Sequence, residues 1–451
     1  MTSTGRGIGH SWFTFAKRSA TSSGSVAAAS RDALAAFSLR VLGAVAALAA
    51  LSVLARSGGS GEVGRFSLAM TIVAVAAVFS RLGYDQVALR FSAVAMDRGV
   101  VDVRAVVLAL LRRLFLPSVG IGLGLAAAAG VVQSALEQPG LASPLRLLAL
   151  SVPFLAVVNV VGEALKGVGR TGAATFCQAV VGSTLLFVGL LVISPADAVW
   201  AAKLMLVGAA VAAGLAVRFV ARLGQPRGWR GASDVPMRAM SQAARPLMAV
   251  AVLNLIVSQG DVLVVGLSAP ATEVGLYAAA ARLAMILSMM LSAVNAGVAG
   301  SLARMFARGE FGQLRRYVGR LTAGMAAMSC VLFATGLVFA EHIVAVFGDD
   351  FVPAAQLLRV LLIGQCVALA SGPMAALLIM TGHERHHRAT VVASTVVAVG
   401  GWAILAPGHG AIAVAWVTSF ALVVKNALGL AVALSVPSVG LGRSASEFPD
   451  G

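Results

Sequence analysis

The chain has 451 residues, 59 % of them hydrophobic and 12 % charged, with 34 Lys and Arg against 18 Asp and Glu and a net charge of +16. Soluble domains carry about 25 % charged residues, so this composition excludes a soluble globular protein and points to a chain that crosses a membrane many times. The apolar material falls into about a dozen stretches near the ~20 residues a helix needs to cross the hydrocarbon core, not the short alternating strands of a membrane barrel.

Residues 1–32 are rich in Ser, Gly and Thr and hold no apolar run long enough for a signal peptide, so they read as a disordered cytoplasmic lead. Six spans follow at about 33–54, 66–83, 114–132, 145–162, 173–193 and 198–217. A basic segment, 218–245, links them to six more at about 246–267, 275–300, 321–340, 355–380, 389–406 and 411–433, and 434–451 is a tail. The fold class is therefore an all-α integral membrane protein of about twelve transmembrane helices.

The connecting segments give the orientation, because Lys and Arg collect on the cytoplasmic side of alternate loops. Most of the 34 basic residues fall in such segments, for example Arg81 to Arg113, Arg218 to Arg245 and Arg304 to Arg320, whereas the opposite loops offer Arg56, Arg65 and Arg146. Both termini are expected in the cytoplasm. The positive charge is thus a topology signal, and no nucleic-acid recognition module accompanies it. Cys177, Cys330 and Cys366 all lie within predicted spans, where a disulfide framework is not expected.

Two landmarks recur. Glu62-Val63-Gly64-Arg65-Phe66 opens span 2 and Glu273-Val274-Gly275-Leu276-Tyr277 opens span 8, 211 residues later. Gly169 after span 4 and Gly382 after span 10 repeat nearly the same offset. Six spans per copy is an even number, so both copies enter from the same side as parallel repeats, a two-lobed transporter plan.

These residues also resemble a known family. Leu54-Ala55-Arg56 leading to the first repeated phrase, Arg81-Leu82-Gly83-Tyr84, Asp261 ahead of Val274-Gly275-Leu276-Tyr277, and Val346-Phe347-Gly348-Asp349-Asp350-Phe351 are similar to the O-antigen and polysaccharide flippases of the multidrug, oligosaccharidyl-lipid and polysaccharide exporter superfamily. The resemblance implies a twelve-helix carrier that moves an undecaprenyl-pyrophosphate-linked saccharide to the outer leaflet of the bacterial inner membrane. It implies as partners the lipid-linked substrate, membrane lipids, and a polysaccharide polymerase and glycosyltransferases. It also implies cationic residues in spans 1 and 8 around a cavity.

Ionisable residues inside spans are the candidates for that work. Arg40 lies about two turns into span 1 and Lys425 deep in span 12, while Lys203 and Arg359 start their spans and read as snorkelling side chains. Arg282 of span 8 and Asp261 of span 7 sit at similar depth, either as a structural ion pair or as an anion site tuned by the carboxylate. Asn254, Gln259 and Asn295 share these two spans and are expected to line the cavity; Asn159, Gln178 and Gln365 read as helix-to-helix hydrogen-bonding groups. Pro117, Pro153 and Pro373 mark possible kinks, and His383, Glu384, His386 and His387 read as a solvated loop rather than a metal site. No Walker loop, zinc-protease or nucleophile-elbow motif is present, so no cofactor or catalytic residue is assigned, and any coupling ion, proton or sodium, comes from outside the chain.

Two rivals remain. An ion-coupled drug antiporter of the same superfamily predicts a buried carboxylate in the first lobe, where spans 1 and 2 have none in their middle and Arg40 instead. A membrane polymerase or ligase predicts a large outer loop, and the longest here, 341–353, is a modest connector.

Overall fold

The computed structural model describes residues 23–98, 102–193, 195–223 and 237–435. Among these, eight helices are long and apolar enough to cross a membrane, and two of the eight are double. Ser23–Arg81 breaks at Gly59 (φ 74°) and Glu384–Ser435 at Gly410 (φ 59°), a left-handed backbone that glycine adopts without Cβ strain. Two further pairs, Ala142–Ala149 with Val152–Gly167 and Ala354–Ala370 with Met374–Met380, are single spans bent by 46° and 42°. Divided and joined in this way, the helices make twelve spans, numbered in chain order as in the sequence. Spans 3, 6, 7, 8 and 9 are Val103–Ala135, Ala198–Ala221, Met237–Ser268, Ala271–Ala307 and Phe311–Val344, and span 5 is Thr171–Val192.

Several spans begin earlier than their apolar runs, always at the Arg-rich end of the bundle. Span 1 starts at Ser23, so residues 23–32 are helical rather than disordered; Ala27-Ala28-Ala29 favour helix. Asp102 caps span 3, its carboxylate accepting from the Arg104 amide at 2.9 Å, which puts Arg104, Arg112 and Arg113 on a helix. Span 7 starts at Met237, inside the expected linker. His386 and His387 belong to the first turn of span 11, not to a loop. Helices run on past the hydrocarbon because their backbone bonds are already internal, so charge ends the apolar run without ending the helix. Residues 1–22, 224–236 and 436–451, which hold the rest of the lead, linker and tail, lie outside the described residues.

The proline expectations divide. Pro153 begins the second half of span 4 and Pro373 precedes the second half of span 10, each at its bend, whereas Pro117 sits inside the continuous helix of span 3. Proline removes a backbone donor and crowds the preceding turn, which favours a bend. A short helix, Tyr84–Arg98, joins spans 2 and 3 where the sequence suggested a loop.

The packing separates the two ends of the bundle. At the end that holds the 1–2 and 7–8 turns, one apolar core runs through both lobes, from Leu54, Val63 and Leu145 to Val265, Tyr277, Phe347 and Val414. At the opposite, Arg-rich end there are two separate cores: one around Val107, Leu110 and Leu165, the other around Leu302, Leu314 and Leu377. The lobes are closed together at one end and split at the other. Met240 and Ala244 of span 7 belong to the first-lobe core, and the Tyr84 and Ser241 hydroxyls there lie 3.0 Å apart.

Polar contacts reinforce the closed end. The buried Gln138 amide donates to the carbonyls of Gly266 and Ala269 at 3.1 and 2.7 Å. Ser52 and Arg56 both donate to the Val346 carbonyl, at 2.7 and 3.0 Å. Each repeated glutamate also holds the start of its own lobe's last span. Glu62 accepts from the Ala198 amide at 2.8 Å and pairs with Arg65, and Glu273 accepts from the Ala411 amide at 3.4 Å. Carboxylates suit these positions because helix N-termini carry unsatisfied N–H groups and a partial positive charge.

Candidate functional site

A cavity of about 310 Å³ lies among spans 2, 7, 8, 10, 11 and 12. Its wall is mostly apolar, from Ile256, Met285, Leu361, Ala398 and Leu422, and four of the candidate polar residues reach it: Gln259, Asp261, Arg282 and Lys425. Arg282 is exposed into the cavity, while Asp261 and Lys425 are half-buried. Arg40, Asn254 and Asn295 are not among its lining residues. Arg40 and Asn254 are exposed on spans 1 and 7, and the side-chain amide oxygen of Asn295 is buried in span 8 without a hydrogen-bond partner among the described residues.

Asp261 and Arg282 share the cavity but do not form an ion pair; the five pairs among the described residues do not include them. The carboxylate is held by another neighbour. Tyr277 donates its phenolic proton to one Asp261 oxygen at 2.9 Å, and the Val262 amide donates to the other at 2.8 Å. Behind Tyr277 the Thr418 hydroxyl lies at 3.5 Å, and Trp402 donates its indole N–H to that hydroxyl at 3.2 Å. Spans 7, 8, 11 and 12 are thereby joined in one chain of donors that ends on the carboxylate, in which each bond polarises the next. Among the described residues, Arg282 is left without a salt-bridge partner, as is Lys425.

Other polar groups join spans as expected. Ser288 donates to the Gln365 amide oxygen at 2.5 Å between spans 8 and 10. Gln178 donates to Glu163 at 3.4 Å between spans 5 and 4, from a stretch of π-helix at Phe176–Val180. Asn159 instead donates to the Leu155 carbonyl of its own helix.

Tyr277, Thr418 and Trp402 were not read from the sequence, although one signal for them is visible there. With the 211-residue offset, Tyr277 takes the place of Phe66, Asp261 that of Ala50 and Arg282 that of Thr71. The second copy is charged at two positions where the first is not, and carries a phenol in place of Phe66. The comparison of copies, rather than hydropathy, marks the site.

Twelve helices in two lobes, with a mostly apolar cavity lined chiefly by the second, define a membrane transporter of the two-lobed kind. Residues 30–300 match the model of the polysaccharide biosynthesis protein family, and residues 246–401 match the MatE family model. The first match spans more than half of the chain, and the chain belongs to the polysaccharide biosynthesis protein family. No curated protein matches it in sequence. By structure it is similar to a multidrug resistance MATE family transporter of the MOP superfamily in an inward-facing conformation, at TM-score 0.71 and 14 % identity over 92 % of this chain and 99 % of that one. It is also similar to the lipid II flippase MurJ in an inward closed conformation, at TM-score 0.64 and 13 % identity over 89 % and 87 %. An outward-facing MATE transporter matches at TM-score 0.57 and 16 % identity over 90 % and 93 %. At these identities the likeness is one of fold.

Proposed function

We propose that the protein is a flippase for an undecaprenyl-pyrophosphate-linked oligosaccharide, an O-antigen or exopolysaccharide repeat unit, in the bacterial inner membrane. The observation that carries this reading is the pair of cations, Arg282 and Lys425, in one mostly apolar cavity of a chain from a polysaccharide biosynthesis family. Asp261 supplies the cavity's carboxylate, and Tyr277 occupies one of its oxygens. The balance suits an anionic head. A pyrophosphate is drawn by cations where water is scarce, and the hydrocarbon tail stays in the bilayer.

The Arg-rich, split end is the cytoplasmic one by the distribution of basic residues, which puts both termini inside. The greater likeness to an inward-facing transporter supports that orientation. Rocking of the lobes closes the split end and opens the other, and an inside-negative potential favours outward movement of an anion by about 2.3 kcal/mol per charge per 100 mV. A polymerase and glycosyltransferases are the expected partners, since they consume and supply such a substrate.

The test is reconstitution. Purified protein in vesicles should move a fluorescent lipid-linked oligosaccharide between leaflets, and the Arg282→Glu variant should not. Retained flipping by that variant removes the anion site from the argument. A second reading, an ion-coupled antiporter, is favoured by the MatE match over 246–401 and by Asp261 within it. Drug efflux by the same vesicles, without lipid flipping, would select it.

A further inference from the structure

The start of span 11 has two working faces. One lines the cavity through Ser394, Thr395, Ala398 and Trp402. The other presents Arg385, Arg388, Ala389, Val392 and Ala393 as a separate, open patch on the surface of the helix. Val396 and Val399 continue that outer face, 67 % and 46 % exposed. It is a cationic end on an apolar ridge, the outline of one phosphate head and one hydrocarbon chain.

Three further observations give the face a direction. Neither Arg385 nor Arg388 has a hydrogen bond or ion pair among the described residues, so both positive charges are free to pair with an anion. They stand in the first two turns of a long helix, whose N-terminus adds partial positive charge. On the other side of the same turns His387 lies within electrostatic reach of Lys425, which lines the cavity. A helix is about 10 Å thick. Arg385 and Arg388 on one face of span 11 and Lys425 in the cavity on the other are thus cations separated by the start of this helix.

We propose that this face of span 11 is a loading site for the phosphate head of the lipid-linked substrate, with its isoprenoid chain along Val392, Val396 and Val399. The assignment rests on the flippase reading above. Arg385 and Arg388 collect the head from the leaflet, and Lys425 receives it in the cavity. The step is ligand exchange between cations, with no bond made or broken. The further cation Lys425 in the cavity favours a transported lipid over an ordinary membrane phospholipid, which would need only the first pair.

The full chain in phosphatidylcholine nanodiscs is titrated with undecaprenyl phosphate, and separately with phosphatidylglycerol, with bound lipid read by native mass spectrometry. Replacing both arginines, Arg385→Gln with Arg388→Gln, should weaken undecaprenyl phosphate binding about tenfold, the loss expected for one or two charge-assisted contacts. Phosphatidylglycerol binding should change little. The Arg385→Lys, Arg388→Lys pair should recover most of the affinity, which a folding defect would not allow. In flipping assays the Gln pair should raise the substrate concentration for half-maximal rate and leave the maximal rate unchanged. Unchanged undecaprenyl phosphate binding overturns the site, and an equal loss for phosphatidylglycerol reduces it to a general lipid contact. If the unaltered protein binds undecaprenyl phosphate through the pair but flips no lipid-linked saccharide, the flippase reading falls and the loading role falls with it. If it flips normally and the Gln pair leaves the half-maximal concentration unchanged, only the loading site falls.

Discussion

Gly64 and Gly275, the glycines of the repeated phrase, pack reciprocally across the closed end. A methyl group on Gly64 would lie 1.7 Å from the Ala271 carbonyl oxygen, and one on Gly275 would lie 2.0 Å from that of Ser60. Ser60 and Ala271 stand 211 residues apart, as the glycines do, so each lobe offers the other the same surface. The contact is a local two-fold seam between the lobes.

Gly64→Ala should therefore open the closed end, because the obstacle is backbone and cannot rotate away; overpacking commonly costs about 1–3 kcal/mol even where neighbours can shift. With Cys177, Cys330 and Cys366 replaced, a cysteine at Ser60 reports on this end. The Gly64→Ala change should raise its labelling by an impermeant maleimide several-fold. Equal labelling with and without the methyl group would mean that the seam does not govern closure.

Tyr277→Phe removes the donor to Asp261 and leaves a half-buried carboxylate oxygen without it, at an expected cost of about 1 kcal/mol. Thermal unfolding in detergent should show it as a lowered midpoint. Combined with Asp261→Ala, the change should cost less than the two single losses added together. Strict additivity would show that the bond contributes nothing.

Arg282 and Arg40 should part company. Both were candidates by position in their spans, but only Arg282 lines the cavity. Arg282→Gln should abolish export of surface polysaccharide, whereas Arg40→Gln should leave most of it, at equal amounts of inserted protein. The reverse ranking would place the anion path along span 1.

Glu62→Ala should destabilise the first lobe by about 1 kcal/mol, as loss of a helix cap does. Glu273→Ala should cost less, since its bond to the Ala411 amide is 3.4 Å rather than 2.8 Å. Comparing the two unfolding midpoints checks the ranking.

The twelve spans were legible because burying a helix in lipid demands long apolar runs, and the repeated glycines were legible because both copies keep the same turn. The helical extensions at Ser23, Val103 and Met237 were not, since hydropathy ends at the hydrocarbon and a helix does not. Asp261 and Arg282 were found as charges in apolar runs, but that Tyr277 rather than Arg282 bonds the carboxylate was not legible. A hydroxyl such as Tyr277 or Thr418 costs little hydropathy and leaves no mark in such a reading. Asn254 and Asn295 shared spans with the true lining residues; facing was decided by helix rotation, which a span boundary uncertain by several residues cannot fix.

The exchange of Phe66 for Tyr277, and of Ala50 for Asp261, makes the two repeated halves chemically unequal. If the cavity holds the substrate as proposed, the first lobe would serve as a moving wall and the second, with Arg282 and Lys425, as the charged grip. Changes in the first should alter how often the carrier turns, and changes in the second what it holds.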